Sequence, residues 1–482
     1  MGRRKSTTLL VAVDSTSRYP YPGAPAMGIL CKELIGHRQW GRGHTPGQTW
    51  SATWGIGGRM RLQGKPLALL IGNRNFAALW SSDLIVTLGD RIHRVALAAL
   101  IWHLTGSLMD AGVAFIASSL PDLALGPLAG VAVDRWDRRK IMIASDLARI
   151  VPVLLIPILA PISLWSVYVL LFLLNTASIM HRPAKVASIP SVVPSSQLTA
   201  ANSFSSMVES VGDLAGYPLA GVGVGLLSGW LGTETGLTAA FGGTALCYAL
   251  SALILLGLRL PLVERAEESS LQQVWEELVI GLRFLARHPI VRTNTAVLLL
   301  GPFAAGIAMP LLIGYAYEVI GDDELAYAML NFGIGLGSVV GAAGLALFGA
   351  RRLGTLVIAG LGLMGVAILG LASTTMLWTA VLLMAVTGVG NMMVLIPSVT
   401  IVHRCTPAHL LGRVFSFRST LIFTALIVAN GIGGWAGDAF GVLPVLAITG
   451  AGLLGGAVLA AMVPACRQAD GLETAARPIP GD

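Results

Sequence analysis

Five ionisable residues, Asp83, Asp90, Arg91, His93 and Arg94, stand in one long apolar run, "SSDLIVTLGDRIHRVALAAL". Asp83, Asp90 and Arg94 are spaced seven and four apart, so at 100° per residue they form a narrow stripe on one helix face. An ionisable side chain inside a bilayer costs about 2.5–3.5 kcal/mol on insertion scales. Such residues persist where they are paired or where they work. An acid that alternates between a paired and an unpaired state can take up and release a proton. Asp90 is the leading candidate, with Arg94 as an i,i+4 partner. His93 is a second titratable group beside it. The plainer use of the same residues is an ion pair that locks this helix to its neighbours.

Other residues could share that chemistry. Glu209 and Asp213 precede "GYPLAGVGVG", and Asp122 follows Pro121. Asp146 and Arg149 are three apart, which reads as a structural pair near a helix end. Asn294, Asn331, Asn391 and Asn430 place amides in later apolar runs, where helix–helix hydrogen bonds are their commonest use. Catalytic signatures are missing. "RMRLQGKP" lacks the leading Gly and final Ser/Thr of a phosphate-binding loop, and no His-Glu-x-x-His occurs. The four cysteines are scattered, without metal-ligand spacing. No catalytic residue, metal or cofactor is expected, and the chain does not read as an enzyme.

The elements that must hold these residues follow from composition. Of 482 residues 55% are hydrophobic and 12% charged, where soluble domains carry about 25%. Mean hydropathy is +0.75. So few charges cannot cover the surface of soluble domains, and the solvent must largely be lipid. Twelve apolar runs are long enough to span a bilayer: 76–104, 108–133, 141–161, 163–181, 202–228, 236–260, 291–317, 325–349, 353–373, 376–402, 414–437 and 441–464. Linkers after the odd-numbered runs contain no Lys or Arg. Those after even-numbered runs carry Arg135, Arg138, Arg139 and Lys140; Arg182 and Lys185; Arg265, Arg283 and Arg287; Arg351 and Arg352; Arg404 and Arg413. This alternation predicts that the basic linkers and both termini are cytoplasmic. It also accounts for the net charge of +7 without a nucleic-acid partner.

The organisation expected is a six-helix bundle over 75–260, a linker over 261–290 and a second six-helix bundle over 291–465. In the linker, Leu271, Val274, Trp275, Leu278, Leu282 and Leu285 recur at helical spacing, so an amphipathic helix lies on the membrane surface. Residues 466–482 form a cytoplasmic tail. Residues 1–74 hold eleven of the 32 Lys and Arg and show no periodicity. They read as a disordered basic tail, or as sequence before a later start at Met60.

The linker between the second and third runs reads "GVAVDRWDRRK". Gly130, Asp134, Arg135, Arg138 and Arg139 resemble the loop signature G-x-x-x-D-R-x-G-R-R of the major facilitator superfamily, with Asp137 where that family most often has Gly. "NRNFAALW", "LGDRIHRVAL", "LTAANS" and "LLGRVFSF" resemble its enterobactin-exporter and macrolide-efflux branch. The resemblance implies an all-α polytopic membrane protein of twelve transmembrane helices in two six-helix bundles. It implies that Asp134 meets the start of the eleventh helix near Gly412 and Arg413, a latch broken and remade during alternating access. The exporters' fifth-helix element is retained at Pro218 and Gly221, with Tyr217 and Val222 at its glycine positions. The function expected is secondary active transport in the plasma membrane by a monomer: efflux of a drug, siderophore or similar amphipathic small molecule in exchange for protons. Alternatives are an uptake carrier or lipid flippase of the same fold and, outside transport, a membrane scaffold or enzyme.

Overall fold

The computed structural model describes residues 72–260, 271–321, 324–349 and 352–470. The expectations for residues 1–74 therefore lie almost wholly outside the described residues, as does most of the 466–482 tail. The described residues are helical with short connections. In chain order the helices are α1 (Arg74–Thr105), α2 (Leu108–Arg135), α3 (Arg138–Leu159), α4 (Leu164–Ser178), α5 (His181–Val192), α6 (Leu198–Val211), α7 (Tyr217–Leu231), α8 (Thr233–Leu256), α9 (Leu271–Arg287), α10 (Pro289–Gly314), α11 (Glu324–Phe348), α12 (Leu353–Leu371), α13 (Leu377–Cys405), α14 (Leu411–Phe440), α15 (Val442–Met462) and α16 (Pro464–Gln468).

Eleven stretches among the described residues are long and apolar enough to cross a membrane. The twelfth is α1, 32 residues long, whose Asp83, Asp90, Arg91 and Arg94 make it too polar for that test.

Local sequence sets several helix ends. Asn73 caps α1 by accepting from the Phe76 amide at 3.0 Å, and its amide donates to Val192 O at the end of α5 at 2.6 Å. Trp80 Nε1 donates to Phe204 O at 3.1 Å, so "NRNFAALW" and "LTAANS" meet in one corner. Asp137 accepts from the Arg139 and Lys140 amides at 2.9 and 3.3 Å and so caps α3. An aspartate there satisfies amides that a glycine could not.

The fourth spanning helix departs from expectation. It does not end at residue 181. Leu164–Val192 is one long stretch, bent between α4 and α5 at Ile179–Met180, both in helical conformation. Pro183 falls in the first turn of α5, where its missing N–H costs little. Arg182 and Lys185 therefore belong to the helix and not to a linker.

Within the first half α8 packs on α1 and α3; within the second, α13 packs on α11 and α12, and α10 on α14. Two seams join the halves, α2 against α14 and α7 against α11. Small residues permit both. A Cβ on Gly112 would lie 2.6 Å from Asn430 O, and one on Gly221 would lie 2.6 Å from Ala328 Cβ. The amphipathic helix α9 packs along α14, with Phe284 and Leu285 in a small core with Val402, Val414 and Phe417.

Candidate functional site

A cavity of about 840 Å³ lies where the halves meet, with walls from both. Its two walls differ in chemistry. The first half contributes five carboxylate, arginine and lysine pairs' worth of charge, from Asp83, Asp90, Asp122, Glu209 and Asp213 against Arg91, Arg94, Arg149, Arg182 and Lys185. The second half contributes no ionisable side chain to the lining: it offers Met309, Met364, Met384 and Phe423, with Asn331, Thr387 and Asn391 as its polar points.

The charged wall resolves into clusters. Lys185 Nζ lies 2.9 and 2.8 Å from the two carboxylate oxygens of Asp83, and both residues are buried. Arg149 pairs with Asp146, stands 3.7 Å from Asp90 and lies over the Tyr248 ring at 4.4 Å. Tyr248 Oη donates to Asp90 at 2.7 Å, Ser251 Oγ to Asp146 at 2.6 Å, and His181 Nδ1 approaches Asp146 at 3.0 Å. Arg91 bridges two acids: its Nε donates to Asp213 at 3.0 Å and its Nη2 to Glu209 at 3.1 Å. Arg94, Arg182 and Asp122 also line the cavity and make no ion pair among the described residues.

Asp83, Asp90 and Arg94 thus share the cavity-facing stripe that their spacing predicts. The i,i+4 pair of Asp90 with Arg94 does not form, because Arg149 and Tyr248 reach Asp90 from α3 and α8. His93 turns the other way and packs edge-on against Phe241 at 5.6 Å, buried away from the cavity. Asp146 and Arg149 are not near a helix end. Arg149 is the twelfth of the 22 residues of α3 and reaches the cavity. Lys185, Arg182, Tyr248 and His181 are the residues that sequence reasoning missed. The signal was present: His181 and Lys185 are four apart and continue an apolar run with no breaker other than a first-turn proline.

The two ends of the cavity differ. At the end away from the basic linkers, Asp438 near the end of α14 accepts from Ser107 Oγ at 2.8 Å and from the Leu108 and Met109 amides at 2.7 and 3.0 Å. It occupies the N-terminus of α2, where free amides and the helix dipole favour an anion. Trp102 of α1 stacks on Tyr317 at 5.6 Å, and His103 stands 3.7 Å from Glu324. At the basic end the latch expected between Asp134 and the start of α14 involves side chains outside those described, as are those of Gly130 and Arg135. A Cβ on Gly412 would meet nothing within 4 Å. Arg413 instead presents its backbone to Gly281 of α9. Arg138 donates to Ala187 O at 2.7 Å, and Arg139 to Leu255 O at 3.0 Å, which ties the loop to α5 and α8. Pro218 lies in the first turn of α7, and Gly221 in the seam with α11.

Comparison with known proteins places this architecture. A family model described as Major Facilitator Superfamily matches residues 79–425. The chain is 26% identical over 399 residues to the uncharacterized MFS-type transporter YfiS of Bacillus subtilis, covering 78% of this chain and 89% of that protein. It is 29% identical over 300 residues to the multidrug efflux pump Tap of Mycolicibacterium fortuitum (58% and 67%). It is 32% identical over 139 residues to macrolide efflux protein A of Streptococcus pyogenes, spanning 34% of that protein. Its fold matches that of a bacterial homolog of the human lysosomal transporter Spinster, solved in an inward-facing, unoccupied conformation. That match has a TM-score of 0.64 and 16% identity, and covers 85% of this chain and 99% of the other. With twelve spanning helices in two bundles around a central cavity, the chain belongs to the major facilitator superfamily.

Proposed function

We propose that this transporter exports an amphipathic small molecule from the cytoplasm in exchange for protons, by alternating access about the central cavity. The observation that carries the reading is the cavity's division into one ionised wall and one apolar, methionine-bearing wall. An amphiphile can place its polar group on the first and its hydrophobic body on the second, and flexible methionines adapt to varied shapes. Two relatives named as efflux proteins favour export. The basic linkers place their end of the molecule in the cytoplasm. In this conformation the opposite end is held by Asp438, so the cavity faces the cytoplasm. The return step would bring Asp134, with Arg135, Arg138 and Arg139, against the start of α14 near Gly412 and Arg413. The carboxylates of the charged wall supply the proton sites, with Asp90, Asp83, Asp122, Glu209 and Asp213 as candidates beside Arg94.

The test is accumulation of antibiotics, dyes and siderophores in cells that lack their own efflux pumps, with and without an uncoupler. Expression is expected to lower accumulation of at least one compound, and the uncoupler to abolish the difference. Raised accumulation would make the chain an uptake carrier, and efflux indifferent to the uncoupler would remove the proton.

A further inference from the structure

Three clusters of buried charge line the first half, and they are not equivalent. Asp83 and Lys185 are matched one to one, with both carboxylate oxygens occupied. Asp90 and Asp146 share Arg149, but Tyr248, Ser251 and His181 close round them, and Asp146 is fully buried. The third, Arg91 with Glu209 and Asp213, sets two carboxylates on one guanidinium and remains open, their side chains 47% and 35% exposed.

That third cluster sits on an irregularity. Between α6 and α7 the fifth spanning helix takes a π-helical turn over Gly212–Gly216. Such turns are rare and recur at functional sites. The turn's two outer glycines make a groove for Arg91. A Cβ on Gly216 would lie 3.0 Å from Arg91 Cγ, and one on Gly212 would collide with Thr87. The Tyr217 ring sits 5.3 Å below the guanidinium. The turn also touches the other half. A Cβ on Gly335 of α11 would lie 2.5 Å from Asp213 Cβ.

We propose that Glu209 and Asp213, bridged by Arg91 at this turn, are the proton-carrying pair, and that movement of α11 across Asp213 switches the side from which they exchange. The assignment rests on the proton-coupled reading above. One guanidinium serves two carboxylates that stand open on the cavity, so neither holds it alone. Asp213 is faced from α1 by Arg91 and, further off, Arg94; from α6 by Glu209; and from α7 by Tyr217. From α11 come Gly335 and Asn331, that helix's own ionisable chains being Tyr327, two turns away, and Glu324, which is with His103. The step balances simply: a carboxylate oxygen accepts a proton from water on one side and returns it to water on the other. With the cavity facing the basic end, both acids release there. When the halves rock, Gly335 leaves Asp213 and the pair faces the opposite side.

The test needs no substrate. The full chain, with its four cysteines replaced by serine, carries spin labels at Trp136→Cys and His409→Cys, both exposed at the basic end. Pulsed electron resonance in lipid nanodiscs reads the distance between them from pH 5 to 9. The unmodified cluster is expected to shift between two distance populations with one midpoint. Glu209→Gln with Asp213→Asn should lose that shift, Asp213→Glu should restore it, and Asp90→Asn should keep it. A shift that survives the double variant, or that Asp90→Asn alone removes, overturns the assignment while leaving proton coupling intact. No shift in the parent protein overturns both. Should the double variant not fold, Asp213→Asn against Asp213→Glu decides by the same readout.

Discussion

At the scale of single residues, burial makes partnership decisive. Lys185 and Asp83 are both less than a tenth exposed, and each is the other's only ion-pair partner among the described residues. Removing one partner of a buried pair typically costs about 3–5 kcal/mol, because the other is left charged and unpaired, while removing both is often near neutral. Lys185→Met is therefore expected to lower the thermal midpoint of the detergent-solubilised protein sharply, and Asp83→Asn with Lys185→Met to recover most of the loss. Independent, additive losses would mean that the pair is not the unit. Asp83 was legible in the sequence as an acid in an apolar run. Its partner was not, because a separation of 102 positions along the chain hides a contact that only folding makes.

At the scale of elements, helices α2 and α14 form one of the two seams between the halves. The sequence points to one anion at the start of α14, Asp134, and the structure displays another, Asp438, at the start of α2. The same two helices meet with an acid at the N-terminus of its partner, at the opposite end. An anion in that place contributes about 0.3–1 kcal/mol, or about 2 when partly buried. Asp438 is exposed, so Asp438→Ala is expected to raise the population open at that end by roughly twofold to fivefold, since 1.4 kcal/mol is a factor of ten. Ala111→Cys reports it: Ala111 is 1% exposed in α2 and should react with an impermeant maleimide faster by that factor in the variant. An unchanged rate would show that the helices hold together through packing alone.

At the scale of the whole molecule, alternating access requires the closed end to open in every cycle. Ser107 and Asp438 lie side by side across the closed end. Bridging Ser107→Cys to Asp438→Cys with a short thiol-reactive linker, in a background without other cysteines, should abolish efflux of any exported compound. A linker cleavable by reductant should return efflux to the level of the uncrosslinked variant on cleavage. Efflux that continues through a complete crosslink would mean that the halves need not part there. The chemistry of the two walls also belongs to this scale: every Asp, Glu, Lys and Arg in the cavity lining comes from one half.

Span number, the loop signature and the charged stripe of α1 were determined by sequence, because each is local. Helical period, hydropathy over about 20 residues and charge near a helix end need no knowledge of neighbours. The continuation of the fourth spanning helix past residue 181, which carries Lys185 to the cavity, was not legible: a proline breaks a helix interior but fits a first turn, and only the continuing backbone distinguishes the two. Partners were decided by tertiary structure alone. Arg94 stands one helical turn from Asp90 along the chain, yet Arg149 and Tyr248 won it from other helices. The π-helical turn that puts Glu209 and Asp213 on Arg91, and Gly335 on Asp213, likewise arises from packing between three helices. In lipid a buried charge takes whatever partner the packed helices bring within reach, and sequence separation has no say in that.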